Sequence, residues 1–181
     1  MINPKELLFV VDENNKPLEP LPRDEVHSKG IWHRSTNMLV LNGDKLLCEK
    51  RSFKKDTSPG KWQICFGGHL NPGEEYLETA SRELQEEAGI SLPPEDFKLR
   101  MVYKYSKVDK LTGAKDNEFL GVFTVNWDGG ISELKLEADE VEKAQWFSLD
   151  ELKDAIANTD NWVDHGYEAQ LIEELINERR K

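Results

Sequence analysis

A chain of 181 residues has the length of one domain and enough material to bury a substantial core. Its 38 % hydrophobic and 33 % charged residues exclude a disordered chain, and 35 acidic against 24 basic residues leave a net charge of −11. That balance argues against a nucleic-acid polymer as partner, because such binding rests on neutralising phosphates with a basic surface. A small anionic substrate stays admissible where a local basic patch or a bound cation receives it. Two cysteines, Cys48 and Cys65, cannot form a disulfide framework, so a reducing, cytoplasmic setting is expected. The opening MINPKELLFVVDENN has too short an apolar run for a signal peptide. No stretch nears the roughly 18 apolar residues of a membrane span, so no membrane partner is expected.

In chain order, LLFVV (7–11) reads as a strand and DENNKPL carries hairpin-turn chemistry, an N-terminal strand and hairpin extension over about residues 5–30. RDEVHSKGIWHRSTN (23–37) mixes charge, His and Trp without a clear period. NMLVLN (37–42), the turn at Asn42-Gly43-Asp44 and KLLCEKR (45–51) make a predicted hairpin. KKDTSPGK (54–61) reads as a loop and WQICF (62–66) as a short strand. Pro72-Gly73 marks a turn, and a helix is predicted from Glu75 to about Ala88, stopped by Gly89. KLRMVYKYSKV (98–108) and EFLGVFTVNW (118–127) read as strands around the polar turn DKLTGAKDN. Gln145-Trp146-Phe147 is a short apolar run before a helix that Ser148 and Glu151 open as a capping box. A last helix, about 164–179, places Ala169, Ile172, Leu175 and Ile176 at helical spacing and carries no chemical motif. No linker or repeat divides the chain, which reads as a single domain over 1–181. The fold class is α/β, a mixed sheet covered by helices.

The chemistry concentrates in GHLNPGEEYLETASRELQEEAGI, residues 68–90. On a helix, Glu83, Glu86 and Glu87 share an arc of about 100° beside an apolar stripe of Leu77, Ala80, Leu84 and Ala88. Glu78 and Gln85 turn to solvent. Like charges at these spacings repel, and beside a core stripe they want a cation. Hard carboxylate oxygens suit Mg²⁺, which characteristically shares such ligands with substrate phosphates.

The segment reads G-x5-E-x7-R-E-U-x-E-E-x-G-U, with U aliphatic, at Gly68, Glu74, Arg82, Glu83, Leu84, Glu86, Glu87, Gly89 and Ile90. It resembles the signature of the Nudix hydrolase superfamily. The resemblance implies an α/β/α sandwich around a mixed β-sheet, with residues 68–90 as loop, helix and loop. It further implies Mg²⁺- or Mn²⁺-dependent cleavage of a diphosphate linkage in a small molecule, such as a nucleoside diphosphate derivative. By motif position, Glu83, Glu86, Glu87 and the Gly68 carbonyl would hold metal. Arg82 and Glu74 would pair to orient the helix, and Gly89 would end it. Many members of the superfamily dimerise, so the resemblance admits a homodimer.

The segments LLCEKRSFKKDTSPGKW, GGH and DNEFLGVF are similar to parts of isopentenyl diphosphate isomerase, a related enzyme. That resemblance implies a second metal site of His27, His33, His69, Asp116 and Glu118, for which imidazole nitrogen favours Zn²⁺ or Mn²⁺ over Mg²⁺. It also implies a diphosphate grip by Arg51 and Lys55. Gly67 stands where the isomerase carries its cysteine, and Cys65 lies two residues earlier. The expected function is therefore diphosphate hydrolysis through Glu83, Glu87, Glu118 and Arg82. Isomerase-like activity and a non-catalytic nucleotide-binding module are the alternatives. Trp62, Tyr103 and Tyr105 are further candidates for ligand contact. Glu137, Asp139 and Glu140 form an acidic loop that reads as a solvated run, with a late metal ligand or base as the alternative.

Overall fold

The computed structural model describes residues 6–55, 57–108, 113 and 115–180. Two short strands, β1 (Leu7–Leu8) and β2 (Leu21–Pro22), pair at the N-terminus and lead into α1 (Arg23–Lys29). The apolar run 7–11 predicts one continuous strand. The pairing instead stops after Leu8, and Val10 and Val11 form isolated bridges to His33 and Pro17. The stretch 23–37, without a legible period, holds α1 and the start of a central strand. Only Val26 and His27 of α1 are buried, so no apolar repeat announces it.

The main sheet contains β3 (His33–Asn42), β4 (Lys45–Arg51), β5 (Trp62–Gln63), β6 (Phe66–His69), β7 (Lys98–Val108), β8 (Lys115–Asn126) and β9 (Val141–Ser148). β3 runs parallel to β8, while its pairings to β4 and β6 are antiparallel, so the sheet is mixed. β4, β5 and β9 continue it on one side and β7 on the other. The segment 62–66 is two strands, because the chain leaves β4 after Gln63 and joins β3 at Phe66. β9 spans eight residues where only 145–147 stood out. Its exposed Glu142 and Lys143 dilute the apolar pattern. Residues 109–112 and 114 of the polar turn, and Asp56 of the 54–61 loop, lie outside the described residues.

β3 is buried along nearly its whole length, as a strand covered on both faces must be. Met38 and Val40 face α2 (Tyr76–Ala88) through Ala80, Leu84 and Ala88. Leu39 and Leu41 point to the other face, against α3 (Leu149–Ala155) and α4 (Glu168–Arg179) through Leu152, Leu171 and Ile172. The result is the expected helix–sheet–helix sandwich. α4 begins at Glu168 and not near 164, because Gly166 adopts φ 93°, outside the helical region. The Ser148–Glu151 capping box is present as predicted.

Candidate active site

α2 is held at both ends. Glu75 and Glu78 close a capping box at its start, and Gly89 ends it at φ 72°. Ala80, Leu84 and Ala88 fix the buried face, which brings Glu83 and Glu87 against the β6 strand. Glu87 accepts a hydrogen bond from the Gly67 backbone N–H at 2.8 Å. Gly68 lies so close to the Glu83 carboxyl that a Cβ there would collide with it. Its side-chain-free backbone therefore lets the helix carboxylate meet the loop. Glu86 points outward, its side chain 57 % exposed, and meets Arg82 at 3.1 Å.

Arg82 ties this motif together. Its guanidinium donates to Glu83 at 2.6 Å, to Glu74 at 3.0 Å and to the His69 carbonyl at 3.3 Å. The expected Arg82–Glu74 pair is thus formed. Burial pushes the Glu74 carboxyl up, but hydrogen bonds from Arg82, Asn71 and Thr79 outweigh it and hold its pKa at about 2. Burial wins at Glu83, raised to about 7 although Arg82 opposes it, and at Glu87, pushed up by burial and then by Glu49 and Glu83. These raised carboxyls mark a place where negative charge lacks a full counterion.

The second constellation follows from strand register. On β3, His33 lies opposite Glu118 of β8, and Ser35 opposite His69 of β6. α1 delivers His27 beside them. The three imidazole rings stand 5.1–5.2 Å apart, and one ligand atom from each lies within 4.8 Å of the others. His33 and His69 reach Glu118 at 3.6 and 3.8 Å, and His27 reaches Asp116 at 3.5 Å. All five residues from three separate stretches therefore converge. The Nε2 of His33 is buried with no hydrogen bond, so the donor set suits a cation. Burial and His33 hold His69 well below its ordinary pKa, in the neutral form a metal ligand requires. Burial and Glu118 raise Asp116 to about 6. At Glu118 burial is outweighed by His33, and its carboxyl is held low.

Both constellations open into one pocket of about 360 Å³, lined by Glu83, Glu87, Gly68, His27, His69, Asp116 and Glu118. Arg51 and Lys55 line it as well. Arg51 is braced by the Thr57 carbonyl and Gln63, each at 3.1 Å, and Lys55 pairs with Glu140. The acidic loop is accordingly more than a solvated run, since Asp139 and Glu140 border the pocket and engage Lys54 and Lys55. Tyr105 lines the pocket, whereas Tyr103 packs on Tyr167 in the core. Trp62 lies away from it, stacked on Trp162. Glu49, buried and raised to about 8 by its burial, is hydrogen-bonded by Gln63 and carries no motif in the sequence. His165, which no sequence expectation includes, stands on the pocket wall ahead of α4. A histidine three residues before a glutamate at a helix start was the available signal.

The family model for the NUDIX domain matches residues 31–169. The chain belongs to this family. Among its relatives, "Nudix hydrolase 3" of Arabidopsis thaliana is 31 % identical over 77 % of the chain, and the match spans only 18 % of that longer protein. An isopentenyl-diphosphate Delta-isomerase of Brevibacterium linens is 32 % identical over 83 % of the chain and 81 % of its own length. A Deinococcus radiodurans crystal structure shares the fold at a TM-score of 0.68, covering 93 % of this chain and 98 % of that one at 21 % identity. The Nudix chain thus has relatives named as hydrolases and as isomerases. Among the described residues, no helix is long and apolar enough to cross a membrane.

Proposed function

We propose that the chain is a metal-dependent hydrolase of a diphosphate linkage in a small polar molecule, working as a cytoplasmic enzyme. The observation that carries this reading is one pocket shared by the Glu83–Glu87 carboxylates and the Arg51–Lys55 cations. Arg51 and Lys55 grip the diphosphate, and Glu83, Glu87 and the Gly68 carbonyl hold Mg²⁺ or Mn²⁺, which Glu86 joins only by swinging in from its outward contact with Arg82. A bound divalent ion supplies charge neutralisation and a more acidic water. Water adds to one phosphorus and the bridging oxygen leaves with the other phosphoryl group. Arg82 positions Glu83, and Glu118, kept ionised by His33, is the carboxylate available to a water in the pocket. His27, His33, His69, Asp116 and Glu118 form a second cation site suited to Zn²⁺ or Mn²⁺.

Two features disfavour isomerisation of an isoprenoid diphosphate. A Cβ at Gly67 would strike the Thr36 carbonyl and the Asn37 side chain, so no thiol fits where the isomerase carries one. Cys65 is buried one pleat back from Gly67, in the core beneath the pocket, where the Tyr167 hydroxyl meets its sulfur at 3.8 Å and itself accepts from the Asn37 amide. Moreover, only Leu120 and Val163 supply aliphatic side chains among the described pocket residues, so a prenyl tail finds no apolar channel. The test is a panel of diphosphate compounds with Mg²⁺, read as phosphate released by added phosphatase. Glu87→Gln should lower kcat by at least about a hundredfold, as loss of a charge-stabilising group does, with the circular dichroism spectrum retained. Turnover at the parent rate would reject the site.

A further inference from the structure

His165 stands on the pocket wall opposite the Arg51–Lys55 loop. Arg51 ends β4, whereas His165 packs on Tyr105 of β7, with ring centroids 5.1 Å apart. β3 and β8 lie between those strands in the sheet, which separates their backbones by on the order of 14 Å. The imidazole is fixed on three sides. Its Nδ1 meets the Glu168 carboxylate at 2.6 Å, the same carboxylate oxygen accepts the His165 backbone N–H at 2.9 Å, and Tyr167 stacks on the ring. Nε2 has no protein partner among the described residues and belongs to a side chain that lines the pocket.

Glu168 is buried, and its second oxygen has no hydrogen bond. Burial works against its charge, but the His165 bonds outweigh this and hold the carboxyl low. The carboxylate engages Nδ1 and the backbone N–H of the same residue, which leaves Nε2 as the ring nitrogen open to a ligand, a second N–H donor in the imidazolium form. Lys107 lines the same wall, with Nζ 3.0 Å from the Asp164 carbonyl. The facing acids, Asp116 and Glu118, are engaged by His27 and by His33 and His69.

We propose that His165, fixed by Glu168, is a second anion contact of the pocket, donating Nε2–H to an oxygen of a substrate phosphoryl group on the wall away from Arg51 and Lys55. This rests on the diphosphate reading above. Glu168 is then a positioning residue and His165 a substrate-binding one.

The test titrates the intact protein, with Mg²⁺ present, with inorganic diphosphate while following the Arg51 Nε and His165 ring-nitrogen NMR signals. Both signals should move and saturate. Because inorganic diphosphate is too short to span the two walls, each wall takes its own: Glu168→Gln should raise the midpoint at His165 about tenfold, the loss of one charge-assisted hydrogen bond, and leave the Arg51 midpoint in place. His165→Gln should likewise spare the Arg51 response. An Arg51 signal that moves while His165 stays still overturns this inference and leaves the hydrolase reading intact. If neither signal moves, diphosphate binding itself fails and the inference falls with it. Should Glu168→Gln not fold, the titration of the parent protein still decides.

Discussion

A methyl group at residue 67 has nowhere to go: the Thr36 carbonyl and Asn37 Oδ1 already occupy the space an added Cβ would take. Both belong to β3, paired with β6 at Asn37 opposite Gly67, so relief requires moving a central strand. Gly67→Ala should therefore destabilise the protein by about 1–3 kcal/mol, the usual cost of overpacking. Urea unfolding measures this, and an unchanged midpoint would show that the strand yields freely. Gly67→Cys should suffer similarly and gain no isomerase activity, since a displaced strand also displaces Glu87, which accepts the Gly67 N–H. The sequence shows only that a cysteine is missing here. The reason, a backbone contact between strands distant in sequence, becomes visible in the fold.

At the scale of the α2 element, the Arg82–Glu74 pair joins the helix to the loop before it. Glu74 titrates near 2 in the fold against an ordinary 4.5. A depressed carboxyl contributes stability that is fully present above about pH 4.5 and is lost as pH falls through about 2. Glu74→Gln should therefore lower Tm at pH 6, and the gap to the parent protein should close on acidification between pH 4.5 and 2. A gap that stays constant over that window would assign the effect to packing instead. This helix was legible in the sequence because its apolar stripe, carboxylate arc and terminal Gly89 agree. α1 was not, since its one buried apolar residue, Val26, sets no period and its other buried side chain is His27. The break between β5 and β6 was equally hidden: WQICF reads as one strand, and only the change of pairing partner from β4 to β3 divides it.

For the whole molecule, convergence is what the sequence conveyed least directly. Family resemblance nominated His27, His33, His69, Asp116 and Glu118, but their meeting depends on α1 docking beside β8 and on β3 pairing with both β6 and β8. His165 had no motif to nominate it, because α4 joins the pocket only through the turn at Gly166. A cation held by the three imidazoles bridges α1, β3 and β6 and should stabilise the fold globally. Zn²⁺ or Mn²⁺ at about a hundred times its dissociation constant adds about 2.7 kcal/mol, or about 5–10 °C in Tm for a chain of this size. Mg²⁺ at the same concentration should do much less through imidazole nitrogen. Thermal unfolding after chelator dialysis, repeated with each metal, measures the difference. His69→Gln should abolish the Zn²⁺ shift while Glu87→Gln retains it, because Glu87 belongs to the other carboxylate set. An equal shift in His69→Gln and the parent protein would move the bound ion away from the histidines.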